Sequence, residues 1–209
     1  MMKRMMLLGL LALALPMAAF ADSSSDYNSS NGTLAGNSAG LTYSNSVLVS
    51  ISNGSGLVAG NLGSVTFTTG ALSSGSVQFG GSFAAGGTFT ITSNGLNGAP
   101  PAGTVFTGSF SSPVSWTLNP NSGAPGTAMP PNEYLLSGNV TGTWSNGTSG
   151  SGNITLTLFA GKNPFSGSAL VSSADTGFSG SAVPEPGTLG LLGTGLIGLA
   201  GVLRRKLKA

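Results

Sequence analysis

The sequence predicts an all-β fold, an antiparallel β-sandwich or jelly roll, flanked by an N-terminal signal helix and a C-terminal transmembrane helix. Two observations predict the strands: short runs in which apolar and polar residues alternate, and Asn-Gly pairs at the ends of such runs. Alternation places the apolar side chains on one face of a sheet. A parallel β-solenoid is the alternative architecture, but no repeat of fixed period supports it.

Alternating runs between residues 41 and 159 supply the predicted core. Val47, Val49 and Ile51 alternate in the first run, and Phe89 and Ile91 do so in a later one. The residues between them are mostly Ser, Thr or Asn, as expected for antiparallel strands that bury one face. The predicted core residues are Val47, Val49, Ile51, Val65, Phe67, Phe79, Phe89, Ile91, Trp116, Leu118, Leu136, Val140, Trp144, Ile154, Leu156 and Leu158.

The predicted turns have a conformational cause. Asn53-Gly54, Asn94-Gly95 and Asn146-Gly147 each follow an apolar run, and asparagine and glycine tolerate the positive φ that tight hairpins require. Proline-rich stretches at residues 100–101 and 119–132 predict loops.

The first 21 residues have the pattern of a secretory signal peptide. Lys3 and Arg4 precede an apolar run over residues 7–15, and the small residues Ala19 and Ala21 frame an A-x-A cleavage site. Signal peptidase is expected to cut there. A permanent N-terminal anchor is the alternative, but the apolar run is too short to span a bilayer.

A second targeting segment ends the chain. Residues 187–203 carry no charge, and as a helix they would reach about 26 Å, just short of a bilayer core of about 30 Å. The basic tail, residues 204–209, contains Arg204, Arg205, Lys206 and Lys208. By the positive-inside rule this tail stays in the cytoplasm.

The charges between these two ends are few and mostly acidic. Of seven Lys and Arg residues, only Lys162 lies between the two targeting segments. Clustered cations along a folded face are needed for nucleic-acid binding, and the body has none. Because the basic residues at both ends stay in the cytoplasm, the body between them is expected to lie outside. We expect residues 40–182 to form a β-rich extracytoplasmic domain, preceded by a flexible mature N-terminus over residues 22–39.

The C-terminal segment also resembles a known sorting signal. Val183, Pro184, Glu185 and Pro186, the apolar span and the basic tail together resemble the PEP-CTERM sorting domain of Gram-negative bacteria. The two prolines favour an extended backbone, which suits a protease site. The alternative is an ordinary linker with a permanent membrane anchor.

The resemblance implies a route and a set of partners. An exosortase-like membrane protease would cut at or near Pro184-Glu185-Pro186 while the chain is held transiently in the inner membrane. The body would then be released or transferred to the cell surface or extracellular matrix. The resemblance also implies an association with exopolysaccharide and biofilm.

Catalytic groups are scarce. Because the chain has no histidine and no cysteine, neither a Ser-His-Asp triad nor a thiol nucleophile is possible. Lys162 with Ser166 or Ser168, and Glu133 with Asp175, are the remaining candidates, and nothing local supports either. We predict a protein that is not an enzyme and needs no metal or cofactor.

Three aromatic residues suggest a weaker hypothesis. Trp116, Tyr134 and Trp144 could stack on sugar rings beside a hydroxyl-rich surface, although their alternation with apolar neighbours favours a place in the core. The sequence therefore predicts an exported, non-enzymatic surface or matrix protein. The alternatives are a carbohydrate-binding module for exopolysaccharide, a permanently anchored surface domain and a hydrolase.

Overall fold

Runs of alternating apolar and hydroxyl-bearing residues form antiparallel β-strands throughout the computed structural model of the chain. The residues that it describes are 23–53, 56–120, 132–160 and 163–180. They contain thirteen strands and no helix, which confirms the all-β prediction. The strands are β1 (Ser23–Ser30), β2 (Thr33–Asn37), β3 (Gly40–Ser44), β4 (Val47–Asn53), β5 (Gly56–Thr68), β6 (Leu72–Ser76), β7 (Gly80–Phe83), β8 (Gly86–Ser93), β9 (Gly103–Phe110), β10 (Val114–Asn119), β11 (Glu133–Trp144), β12 (Ser149–Phe159) and β13 (Ser168–Gly180).

Eight of these strands close into an antiparallel barrel, so the predicted two-sheet sandwich is wrong. The ring runs β1-β4-β5-β8-β9-β11-β12-β13 and returns to β1. Strand β1 makes the closure, because it pairs with β4 on one side and with β13 on the other. A closed ring leaves no unpaired backbone edge in these eight strands, whereas an open sheet would expose two.

The other strands extend from the barrel. β2 pairs with the first residues of β13, and β3 connects β2 to the end of β5. The first half of β11 pairs with β10, β10 pairs with β7, and β7 pairs with β6. The second half of β11 pairs with β9 as part of the ring. One edge of β11 therefore pairs first with β10 and then with β9, and one edge of β13 pairs first with β2 and then with β1.

Aromatic rings fill the barrel. Phe178 lies 4.6 Å from Phe106 and 4.8 Å from Trp144 between ring centroids, and Phe89 and Phe110 continue the cluster toward Phe67. Most of these contacts are edge-to-face, and such contacts add to the free energy gained by burying the rings. The predicted core residues that are buried are Ile51, Val65, Phe67, Phe89, Ile91, Trp116, Leu136, Val140, Ile154, Leu156 and Leu158.

Some predicted core positions are not buried. Phe79 is 71% exposed because it lies in the turn between β6 and β7 and not in a strand. In β4, Leu48 is fully buried while Val47 and Val49 are only partly so. Val49 is skipped in the pairing of β4 with β1 and in its pairing with β5, so it forms a β-bulge. A bulge inserts one extra residue, so the side chains after it point to the opposite face from the one that simple alternation predicts.

The segment predicted to be a flexible N-terminus, residues 22–39, instead contains β1 and β2. Tyr27 is 5% exposed and Leu34 is fully buried. Tyr27 and Leu34 each hold their strand against the interior. The Ser and Asn residues that flank them contribute backbone hydrogen bonds to the sheet. A Ser-rich run was therefore a poor sign of flexibility here.

The predicted signal peptide (residues 1–21) and the sorting tail (residues 183–209) lie outside the described residues. Within the part of the chain that the structure describes, no helix is long and apolar enough to cross a membrane. Residues Ser24–Gly180 form one compact unit.

Candidate functional site

Two carboxyl groups meet on the outer face of the barrel. Asp26 on β1 and Asp175 on β13 are hydrogen-bonded to each other, and Asn28 Nδ2 donates to Asp26 Oδ2 at 3.2 Å. The hydrogen bond to Asp26 raises the pKa of Asp175 to about 6, with smaller contributions from burial and from the charge of Asp26. The backbone N–H of Thr176 opposes this shift in the pKa.

The neighbouring strands offer the pair no compensating charge. Thr155 of β12 lies opposite Asp175, and Ser52 of β4 lies opposite Asp26. The described residues contain no lysine or arginine at all. Asp175 therefore holds a proton in mildly acidic solution, with Asp26 as the acceptor of its hydrogen bond, and an ionised Asp175 is repelled by the charge of Asp26.

We expect Asp175→Asn to stabilise the protein at neutral pH and to make its stability less dependent on pH. The folded state binds a proton at Asp175 between the unfolded pKa, about 4, and the folded pKa. The free energy of unfolding of the wild type therefore rises as the pH falls through about 6. Thermal unfolding at pH 7.5 and pH 5.0 checks this: the variant should unfold at the higher temperature at pH 7.5 and lose most of that advantage at pH 5.0. An equal difference at both pH values would contradict the raised pKa of Asp175.

A groove of about 580 Å³ lies beside this pair, where β11, β12, β13 and β1 run side by side. Gly177 of β13 faces Asn153 of β12, and no atom of the described residues lies within 4 Å of the position that a Cβ atom would occupy on Gly177. Because this position lacks a side chain, a trough opens in the outer face. Its walls carry Asn139 and Asn153 on one side and residues 24–26 on the other. We call it the Gly177 groove.

Hydrogen bonds fix the amide groups of the Gly177 groove. Asn153 Nδ2 donates to the carbonyl oxygen of Gly138 at 3.2 Å and to Asn139 Oδ1 at 3.4 Å. Asn139 Nδ2 donates to Ser112 Oγ at 3.2 Å. The two amides are therefore held in place before any ligand arrives, and Asn139 retains one amide hydrogen.

The aromatic residues singled out for sugar stacking lie mostly in the core. Trp116 is 1% exposed and Tyr134 is fully buried, and their rings stack with centroids 4.8 Å apart. Trp116 Nε1 donates to the carbonyl oxygen of Val77 at 2.8 Å, and Tyr134 Oη donates to that of Gln78 at 2.6 Å. Neither ring presents a face to solvent. Trp144 is partly buried and packs on the aromatic cluster of the barrel.

The candidate catalytic carboxylates are not brought together. Ser137 pairs with Thr155 and Thr155 pairs with Asp175, so Glu133 lies two strands away from Asp175 and about 13 Å further along the sheet. A glycosidase needs carboxyl groups within about 5 to 10 Å of each other. Lys162, the base of the other candidate pair, lies outside the described residues. Within the described residues there is no group of three or more side chains that could hold a metal ion.

Asp26 was missed as a partner of Asp175, and only a weak signal could have revealed it. Tyr27 is one apolar residue in a polar run, and its burial in β1 places Asp26 on the outer face. The pairing of β1 with β13 is then needed to bring the two carboxyl groups together.

The comparisons with known proteins bear on the tail. Residues 182–206 match the family model of the PEP-CTERM protein-sorting motif. The resemblance of residues 183–209 is thereby confirmed, and the PEP-CTERM motif implies export, processing by an exosortase and sorting to the cell surface. No curated protein and no solved structure matches the chain.

Proposed function

We propose that this chain is an exported, non-enzymatic surface or matrix protein that is processed through its PEP-CTERM motif. The match over residues 182–206 carries the proposal. The signal-peptide pattern of residues 1–21 supports it, since export is required before the tail can be sorted.

The proposed route has three steps. Signal peptidase cuts after Ala21, and the apolar span of residues 187–203 then holds the chain transiently in the inner membrane, with the basic tail inside. An exosortase-like protease cuts at or near Pro184-Glu185-Pro186. Because β13 ends at Gly180, the processed protein consists of little more than the barrel and the strands that extend from it.

The composition supports a role without catalysis. The chain lacks the histidine and cysteine on which most nucleophilic sites depend, and Glu133 lies far from the Asp26–Asp175 pair. The outer face of the barrel instead carries many hydroxyl and amide groups from Ser, Thr and Asn residues. An association with exopolysaccharide or biofilm is part of this proposal and comes from the family resemblance.

Intact mass spectrometry of the protein from membranes and from medium tests the route. We expect a species that begins at Asp22 and ends near Pro184-Glu185-Pro186, outside the inner membrane. Replacing these three residues with alanine should leave the basic tail attached and the protein in the membrane, because the protease loses its recognition site. Ser181→Ala, just before the matched region, should be processed normally.

A different result would favour the anchored alternative. If the wild type keeps its C-terminal Ala209 and occurs only in membranes, the tail is a stop-transfer helix and the protein is a permanently anchored surface domain.

A further inference from the structure

The Gly177 groove has the dimensions of a small-ligand site. β12 and β1 lie on either side of β13, and β11 lies beyond β12, so the strand of Asp26 is about 10 Å from that of Asn153 and about 14 Å from that of Asn139. The volume of about 580 Å³ falls within the range of roughly 300–1,000 Å³ that is usual for ligand pockets. One sugar ring with its hydroxyl groups fits such a trough.

The polar side chains that line the groove indicate which class of ligand could bind there. They include the Asp26 carboxyl, the Asn139 and Asn153 amides and the hydroxyls of Thr141 and Ser151, and none of the described residues that line the groove is basic. The carboxylate repels an anion. A neutral polyol suits this lining, because each of its hydroxyl groups both donates and accepts hydrogen bonds.

We propose that the Gly177 groove binds a neutral saccharide. Asp26 accepts hydrogen bonds from sugar hydroxyls on one side, and Asn139 donates its remaining amide hydrogen on the other. The backbone at Gly177 forms the floor on which the ring lies. This assignment concerns the barrel alone and is independent of how the tail is processed.

Preorganisation supports the assignment. The Asn139 and Asn153 amides are already fixed by Ser112, by the Gly138 carbonyl and by each other, so binding immobilises few additional side chains. Among the described residues, the aromatic side chain that borders the groove is Phe178, and it is only 3% exposed, so it offers no ring face for stacking. We therefore expect weak binding, with a dissociation constant on the order of 1 mM per site.

Affinity electrophoresis of the protein recovered from cells that express the full chain tests the proposal. The gels contain dextran, amylose, laminarin or galactomannan, with alginate as the anionic comparison, at pH 7.5 with EDTA present. We expect at least one neutral polysaccharide to retard the wild type and alginate not to do so. If none of the four neutral polymers retards it, the proposal is wrong.

Two pairs of variants locate the binding. Gly177→Thr fills the groove without backbone strain, because its φ is not positive and the space is open, and it should weaken binding about tenfold or more. Ser173→Thr, which adds a methyl group four residues away on the same strand, should bind within about twofold of the wild type.

The second pair separates binding from stability. Asp26→Asn and Asp175→Asn each remove one of the two repelling carboxyl groups, so both variants should be at least as stable as the wild type at pH 7.5. Only Asp26 lines the groove, so only Asp26→Asn should weaken retardation. Equal loss in both variants, or full binding by Gly177→Thr, would overturn the assignment.

Discussion

Replacing Trp116 with alanine is expected to lower the free energy of unfolding by about 3–5 kcal/mol. The indole is 1% exposed, stacks on Tyr134 at 4.8 Å and meets Phe165 edge-on at 5.6 Å. Truncation leaves a cavity among these rings, and it removes the donor to the Val77 carbonyl. A loss of this size is a large part of the 5–15 kcal/mol by which domains are usually stable.

Urea unfolding of Trp116→Ala and Trp116→Phe measures this effect. The phenylalanine variant keeps most of the ring packing and loses the hydrogen bond, so it should lose about 1–2 kcal/mol. If Trp116→Ala instead unfolds at the same urea concentration as the wild type, the ring is exposed in solution, and the sugar-stacking hypothesis for Trp116 gains support.

The interior of the sheet was predictable because its pattern is local. Val65 and Phe67 on β5 pair with Ile91 and Phe89 on β8, and all four residues are buried as their alternation indicates. A period of two follows directly from strand geometry, so it needs no knowledge of the partner strand. The PEP-CTERM motif was predictable for a similar reason, since its parts follow one another along the chain.

The closure of the barrel depends on pairing between the two ends of the body. β1 carries a single large apolar residue, Tyr27, in a run of Ser, Asp and Asn, so neither alternation nor composition marks it as a strand. Its partner β13 lies about 150 residues further along the chain. The Asp26–Asp175 pair and one wall of the Gly177 groove depend on this pairing, and no local pattern could predict them.

β-bulges also limited how well the sequence could predict which way each side chain points. The unpaired Val49 reverses the alternation within β4, and Val105 and Phe106 are both buried at another irregularity, between β8 and β9. A bulge depends on the register of the neighbouring strand, which a single strand's sequence does not contain. The strands could therefore be located more reliably than the direction of each side chain.

The second large effect is expected from Gly142→Ala, which should destabilise the protein by about 3 kcal/mol. Gly142 on β11 lies opposite Gly108 on β9. A Cβ atom on Gly142 would overlap the carbonyl oxygen of Thr107 and the Cα atom of Gly108, and it would meet the Phe106 ring at 2.8 Å. Two of these neighbours are backbone atoms of the paired strand, so they can move only if the β9–β11 pairing is disrupted.

Gly177→Thr is the matched control, because it also adds a side chain to a glycine of the barrel, but on the outer face where the space is open. We expect its free energy of unfolding to stay within about 0.5 kcal/mol of the wild type, whereas Gly142→Ala should unfold at a clearly lower urea concentration. If both variants are equally stable, β9 and β11 do not approach each other this closely. A large difference would show that glycine is required where the strands approach inside the barrel and can be replaced on the outer face.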